Sequence, residues 1–179
     1  MIESAAGYSG LSGLTDQGAR DEFFYLCAIN RATLVTNAAL GLVSAEKAPA
    51  YARAIDEVTR HGARTDRVIK LEPQLIAIAG PEITELHVGR SSQDMHATFQ
   101  RAMLRDLAVR FARSFNAARR ALFKLALENR DTIAPCYTNG VAAQPNSLGH
   151  TWLGHLCGLS RDFEIFKGAW SRLNLCPMG

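Results

Sequence analysis

The first segment that could do chemistry is a short polar stretch directly before a long apolar-periodic one. It contains Arg90, Ser91, Ser92, Gln93 and Asp94. The first N–H groups of a helix lack intrahelical partners and lie at its positive end, so polar side chains there favour binding of a carboxylate or phosphate. Arg90 adds a guanidinium that could grip a carboxylate through two hydrogen bonds. The residues also fit a plain helix cap by Ser91 or Ser92, and spacing alone favours the plain cap.

A second polar segment, residues 137–147, leads into another apolar stretch. Its polar side chains include Thr138, Asn139 and Gln144. The plain interpretation is a loop between helices whose polar groups satisfy their own backbone, and spacing alone favours it. A ligand-binding role for this segment stays open at this point.

The histidine and cysteine patterns do not indicate a metal site. His150 and His155 are five residues apart, so they do not share one helix face as residues i and i+4 do. The four cysteines form no Cys-x-x-Cys pair, and we expect reduced, mostly packed thiols. No histidine lies near Cys136 in sequence, so we do not expect a cysteine nucleophile. We expect no cofactor.

Composition and charge limit the class of protein. The 179 residues are 47% hydrophobic, with net charge +3 and mean hydropathy −0.04. A chain of this kind can form one hydrophobic core and is too apolar to stay disordered. It has no apolar run of membrane-spanning length and no secretory signal pattern, so we expect a soluble cytoplasmic protein without a membrane partner. Its charge is too low to favour nucleic acid.

Apolar periodicity predicts three helices before the polar segments. The glycine-rich residues 2–15 are expected to form a loose arm, after which Thr15 or Asp16 caps the first helix. Gly80 and Pro81 are expected to stop the third helix. The three helices are predicted over residues 16–41, 44–61 and about 66–79.

Two longer apolar seams predict two long helices. The first seam runs from Leu104 to Leu125 in a helix expected over residues 93–129, and the second from Leu148 to Trp170. Residues 131–146 between them are predicted to form a loop. Because no run of alternating strand residues occurs, the predicted class is all-α, an N-terminal helical segment followed by long helices of an antiparallel bundle.

The two seams carry more apolar surface than a single helix pair can cover. Aromatic residues at successive seam positions would be left in water unless further helices pack on them. These helices must come from other copies of the chain or from the rest of a longer protein. We therefore expect oligomerisation.

Three motifs in this order resemble the argininosuccinate lyase branch of the fumarase/aspartase superfamily. Residues 87–94 are similar to the family's first signature, His-x-Gly-Arg-Ser-Arg-Asn-Asp. Residues 137–145 are similar to the second, Tyr-Thr-His-Leu-Gln-x-Ala-Gln-Pro, and residues 173–179 to an Asn-x-x-Pro-x-Gly stretch. The resemblance runs from about Phe23 to the last residue.

The resemblance implies a lyase that cleaves a C–N bond beside a carboxylate and releases fumarate. It places Thr138 and Asn139 at catalytic positions. It assigns substrate binding to five further residues, Arg90, Ser91, Ser92, Gln93 and Gln144. The implied substrate is a small anionic N-substituted succinate, and no metal is implied.

This sequence departs from the family pattern in several places, among them Gly140-Val141, which replaces the family's Leu-Gln. Ser92 and Gln93 replace the Arg-Asn pair of the first signature, and Asn139 replaces the family's histidine. An amide cannot carry a proton near neutral pH. No segment resembles the third signature, Gly-Ser-Ser-x-Met-Pro-x-Lys-x-Asn-Pro. Since sites of this family are assembled from three subunits of a homotetramer, we expect a homo-oligomer such as a tetramer or a complementing C-terminal chain. This chain could supply only the first two signatures, so a complete site needs the C-terminal portion on another chain or in a longer parent.

Two hypotheses therefore remain after the sequence alone. The first is a lyase of the argininosuccinate lyase type, incomplete as this chain by itself. The alternative is a non-catalytic helical oligomerisation or binding protein derived from that family. In either case we predict an N-terminal helical domain over residues 1–92 and part of a central helical bundle over residues 93–179.

Overall fold

The computed structural model describes residues 20–178. Contacts divide the chain into two compact units. The first unit runs up to Met103 and includes the C-terminal residues from Pro177, and the second unit is Leu104–Cys176. The predicted arm over residues 2–15 and the predicted caps Thr15 and Asp16 lie outside the described residues. The predicted domain boundary at residues 92 and 93 stays a prediction.

The first unit is built from short helices that follow the apolar periodicity of the sequence. They are α1 (Glu22–Ala39), α2 (Ala48–His61), α3 (Val68–Ala79) and a 3₁₀ helix (Pro81–His87), followed by the first turns of α4 (Ser92–Glu128). Helix α1 begins later than predicted because Asp21 caps it, its Oδ1 accepting a hydrogen bond from the Phe24 N–H at 2.9 Å. Gly80 ends α3 as predicted.

A single hydrophobic core holds the first unit together. Within the described part of the unit it comprises 17 buried residues, to which α1, α2, α3, the 3₁₀ helix and the start of α4 all contribute. Leu26, Ala54 and Met95 have no exposed surface at all. Met178 packs against the same cluster. The large buried apolar area gives this unit its stability.

The second unit contains most of α4, a β-hairpin and helix α5 (Leu148–Leu173). Both long helices lie where the apolar seams predict them. They run antiparallel, since Phe111 of α4 contacts Phe166 of α5 and Phe115 contacts Phe163. Apart from a short hairpin, the described residues form helices, and the predicted all-α class is confirmed.

The segment predicted as a loop, residues 131–146, is instead an antiparallel hairpin. Strand β1 (Ile133–Thr138) pairs with β2 (Val141–Ser147), with an irregular register between Cys136 and Tyr137. The turn is Asn139-Gly140, and both residues have positive φ, 51° and 79°. Such a two-residue turn matches the twist of paired strands and prefers Asn-Gly. The prediction missed this signal because it required alternating apolar residues.

The second unit has almost no buried interior. Of residues Leu104–Cys176, all of which the structure describes, only Ala108, Ala126 and Gly149 are buried. The seam aromatics contact one another but stay partly in water; Phe111 is 48% exposed and Phe123 is 54% exposed. A two-helix layer cannot enclose its own seam, which is the physical reason for this exposure.

The sequence also led to expectations about the burial of the cysteines and about membrane-spanning helices. Cys27 is buried, but Cys157 and Cys176 are exposed, so the expectation of mostly packed thiols is wrong. Among the helices of residues 20–178, none combines the length and the hydropathy needed to cross a bilayer.

Candidate functional site

The start of α4 is fixed by a reciprocal cap. Ser91 Oγ accepts a hydrogen bond from the Asp94 N–H at 3.2 Å, and Asp94 Oδ2 accepts one from the Ser91 N–H at 2.7 Å. The plain-cap interpretation is thereby confirmed for Ser91 and Asp94. This pattern satisfies two of the terminal N–H groups and leaves those of Ser92 and Gln93 at the exposed helix start.

Arg90, directly before this cap, turns its side chain toward α1. One terminal nitrogen donates to Thr33 Oγ1 and the other to Asn30 Oδ1, each at 2.5 Å. The Nε atom is buried without a hydrogen-bond partner among the described residues. Burial lowers the pKa of Arg90 to about 10, and the charge of Glu72 opposes this shift. The predicted direct contact of Arg90 with a substrate stays a prediction.

The turn that leads to Arg90 is held from the other side by α3. His87 Nε2 lies 3.4 Å from Glu72 Oε1. Burial and the Arg90 charge keep the pKa of His87 below its usual value, against the attraction of Glu72. Gly89 has φ 76°, a conformation that L side chains rarely adopt, so this position between His87 and Arg90 favours glycine.

An open cleft of about 620 Å³ lies at the start of α4. Helix α3 also begins here, at Val68, and no side chain among the described residues caps it. Two helix N-termini therefore contribute to one cleft, and both favour negative charge. The lining residues are Asp66, Arg67, Val68, Ile69, Ser92, Gln93, His96, Ala97, Phe99 and Gln100.

Four polar lining residues were not among the predicted site residues: Asp66, Arg67, His96 and Gln100. His96 Nε2 lies 3.2 Å from the carbonyl oxygen of Asp66, and the His96 ring packs edge-on against Phe99. The signal available in the sequence was the helical period. His96 follows Ser92 by four residues and Gln100 follows His96 by four, so the three share one helix face.

The other predicted residues lie on the hairpin of the second unit. Thr138 ends β1 opposite Val141, Asn139 occupies the turn, and Gln144 lies on β2 opposite Cys136. All three predicted residues are exposed. A shallow groove of about 420 Å³ on the hairpin is lined by Ile133, Ala134, Pro135, Ala142, Ala143, Gln144 and Pro145.

The predicted site residues therefore fall into two groups in the structure, one for each of the two sequence motifs. Ser92 and Gln93 line the cleft of the first unit, with Ser91 as cap and Arg90 bound to α1. Thr138 and Asn139 are adjacent at the hairpin turn, and Gln144 lies farther along β2.

Comparison with known proteins identifies the family. The sequence profile of the family described as Lyase matches residues 27–179, and the chain belongs to this family. Among solved structures it is similar to EDDS lyase in complex with formate, with a TM-score of 0.83 and 27% identity over 88% of this chain and 32% of that chain. The fumarate lyase from Mesorhizobium sp. BNC1, at 24% identity and a TM-score of 0.75, shares the fold over 87% of this chain and 39% of that one.

Curated relatives with significant similarity include argininosuccinate lyases. The Methanosarcina acetivorans protein is 33% identical over 146 residues, covering 78% of this chain and 30% of that protein. The Methanosarcina barkeri protein is 38% identical over 112 residues, covering 62% of this chain and 23% of that protein. The chain thus spans less than a third of the length of these relatives.

Proposed function

We propose that this chain forms part of a lyase of the argininosuccinate lyase type, which eliminates an amine from an N-substituted aspartate and releases fumarate. Support comes from the family, from relatives named argininosuccinate lyase, and from a similar EDDS lyase variant that was solved with bound fumarate. The observation that carries the proposal is the cleft of the first unit, where two helix N-termini meet Ser92 and Gln93.

The cleft suits the charge that such a reaction develops. Removal of the proton beside a carboxylate places additional negative charge on that carboxylate in the intermediate. Preorganised N–H groups stabilise it, because they need no reorientation when the charge appears. The backbone N–H groups at the start of α4, with the side chains of Ser92 and Gln93, are such donors. Ser91 holds them in place through its cap with Asp94.

The proposed function also gives roles to three residues of the hairpin. Thr138 contacts a substrate carboxylate, and Gln144 supports the hairpin beside it. Asn139 occupies the position of a family histidine but cannot carry a proton, so another group protonates the leaving nitrogen. The base and this acid come from a complementing chain that carries the third signature, because every copy of this chain lacks that signature.

The exposed seam supports the need for partners. Aromatic side chains along α4 and α5 contact one another while remaining partly in water. An apolar surface of this kind typically marks an association site. A complementing chain that covers the seam would also bring the missing catalytic groups.

The decisive test is fumarate release, followed by ultraviolet absorbance, from argininosuccinate and other N-succinyl amines. The chain is assayed alone and with a separately produced segment carrying the third signature of a relative. We expect turnover only with the complementing segment, and loss of that turnover in Ser92→Ala. Ser171→Ala, the same change at an exposed position of α5 outside the cleft, is the matched control. Absence of fumarate release both from the chain alone and from the chain with the complementing segment would contradict the lyase proposal.

The second candidate function is a non-catalytic helical oligomerisation or binding protein. The observation that favours it is the hairpin turn, where Asn139 takes the place of the proton-carrying histidine in a conformation set by Gly140. This candidate predicts stable oligomers, no turnover with any complementing segment, and no rescue by Asn139→His. The two candidates therefore separate in the same assay.

A further inference from the structure

The side chain of Arg90 is held by neutral groups. Its hydrogen-bond acceptors are the hydroxyl of Thr33 and the side-chain carbonyl of Asn30, both on α1. Asn30 is only 3% exposed, and its amide group donates to the Leu26 carbonyl at 3.0 Å, which fixes its orientation. No carboxylate of the described residues forms an ion pair with Arg90.

We propose that Asn30 and Thr33 are positioning residues that hold Arg90 without neutralising it, so that its charge favours a dianionic ligand at the start of α4. The inference rests on the proposed function, because it takes the cleft at Ser92 and Gln93 as the dicarboxylate site. It adds α1, which does not line that cleft, to the machinery that binds the ligand.

The geometry explains how α1 acts on the cleft. Arg90 is two residues before Ser92, and its backbone N–H donates to the His87 carbonyl at 3.2 Å within the same turn. His87 contacts Glu72 of α3 while Arg90 is bound to α1, so both neighbouring helices restrain the turn. A restrained turn fixes the direction in which the first N–H groups of α4 point.

The charge of Arg90 affects the ligand separately from the restraint of the turn. Neutral acceptors satisfy the hydrogen bonds of a guanidinium but leave its positive charge, whereas a carboxylate would cancel it. Buried charges are screened by salt much less than exposed ones, so Arg90 acts on a ligand beyond contact distance. Burial costs Arg90 part of its charged-state stability, and the lowered pKa reflects that cost. A bound dianion would restore some of this stability.

The test introduces a carboxylate beside Arg90 and compares it with one placed elsewhere on α1. Thr33→Asp keeps an acceptor for Arg90 and adds a negative charge. Thr36→Asp is the matched control, since Thr36 is exposed and its hydroxyl donates only to the Ala32 carbonyl of its own helix. Fumarate and its monomethyl ester are the ligands, with affinities measured by calorimetry and melting temperatures measured in parallel.

We expect Thr33→Asp to weaken fumarate binding about tenfold and binding of the monomethyl ester clearly less, without a lower melting temperature than Thr36→Asp. Thr33→Val, which removes the hydroxyl acceptor, should also weaken fumarate binding, whereas Thr33→Ser should restore it. Equal fumarate affinities for Thr33→Asp and Thr36→Asp would overturn this inference alone. Failure of the unchanged chain to bind fumarate would overturn the proposed dicarboxylate site itself.

Discussion

The first unit has a closed core, whereas the second unit has an aromatic seam and no core. In the first unit, short helices enclose side chains such as Leu26, Tyr51 and Leu86, which are almost completely buried. In the second unit, buried positions are limited to two alanines and one glycine. The apolar residues are present in both, but only the first unit has enough layers of helices to cover them.

The two units also differ in charge. Residues 20–103 contain ten Lys and Arg and ten Asp and Glu, whereas residues 104–176 contain ten basic and only five acidic residues. The positive charge of the chain therefore belongs to the second unit. Two copies that pair through this unit repel each other at low ionic strength, and salt weakens the repulsion.

Stability and association therefore arise in different units of the chain. A buried side chain in the first unit contributes to the free energy of unfolding of the chain by itself. A seam side chain in the second unit contributes most when a partner covers it. Substitutions in each unit can test this division between stability and association.

The largest expected effect is for truncation in the core of the first unit. Leu26→Ala should lower the free energy of unfolding of this unit by about 3 kcal/mol, because a fully buried leucine leaves a cavity. Phe163→Ala, which removes a stacked pair with Phe115 in the second unit, should cost about 1 kcal/mol in dilute solution. Segment-resolved hydrogen exchange measures the two separately.

The dependence of each stability effect on protein concentration is the control for Leu26→Ala and Phe163→Ala. The effect of Phe163→Ala should grow at higher protein concentration if copies cover the seam, whereas the effect of Leu26→Ala should not. A concentration-independent effect of Phe163→Ala would contradict the assignment of the seam to association.

The next effect concerns the close contact between α4 and α5. A Cβ at Gly149 would lie 2.4 Å from the Ala126 carbonyl oxygen and 2.7 Å from the Arg130 Cα, both backbone atoms that cannot rotate away. Gly149→Ala should therefore destabilise the second unit by about 2 kcal/mol. Gly154→Ala on the same helix meets nothing within 4 Å and should stabilise it by about 0.5 kcal/mol.

Circular dichroism melts of the two glycine variants give the measurement. Equal melting temperatures for Gly149→Ala and Gly154→Ala would show that the helix pair does not depend on this approach. The opposite signs expected here exclude a general effect of helix propensity.

The smallest effect is a pH dependence of the first unit. Burial and Arg90 lower the pKa of His87 in the folded state, so the unfolded state binds more protons below about pH 6.5. The contribution of His87 is present above that pH and is lost as the pH falls through the lowered pKa of the folded state. His87→Gln should flatten the stability profile between about pH 6.5 and 5. An unchanged profile would contradict this origin.

Helix periodicity was sufficient to predict most of the fold. The seams located α4 and α5, and Gly80 located the end of α3, because these signals are local. The cap at Asp21 and the hairpin at Asn139-Gly140 were missed, although both are local signals too. The prediction weighted apolar periodicity above capping and turn chemistry.

Less of the candidate site than of the fold could be predicted from the sequence. The cap of Ser91 and Asp94 follows from spacing, but the second helix start at Val68 lies 23 residues before Ser91. Only packing brings the starts of α3 and α4 to one cleft. The contact of Arg90 with Asn30 spans 60 residues, so no local pattern indicates which acceptors receive the guanidinium.

Helix α4 has a consequence for how the chain folds. Its first turns contain Met95 and Phe99, which belong to the core of the first unit, while its remaining turns have little burial. Starting a helix is unfavourable, whereas extending one adds a hydrogen bond for each residue fixed. We therefore expect collapse of the first unit to supply the nucleus from which α4 elongates, so that amides of its first turns become protected from hydrogen exchange before those of its later turns.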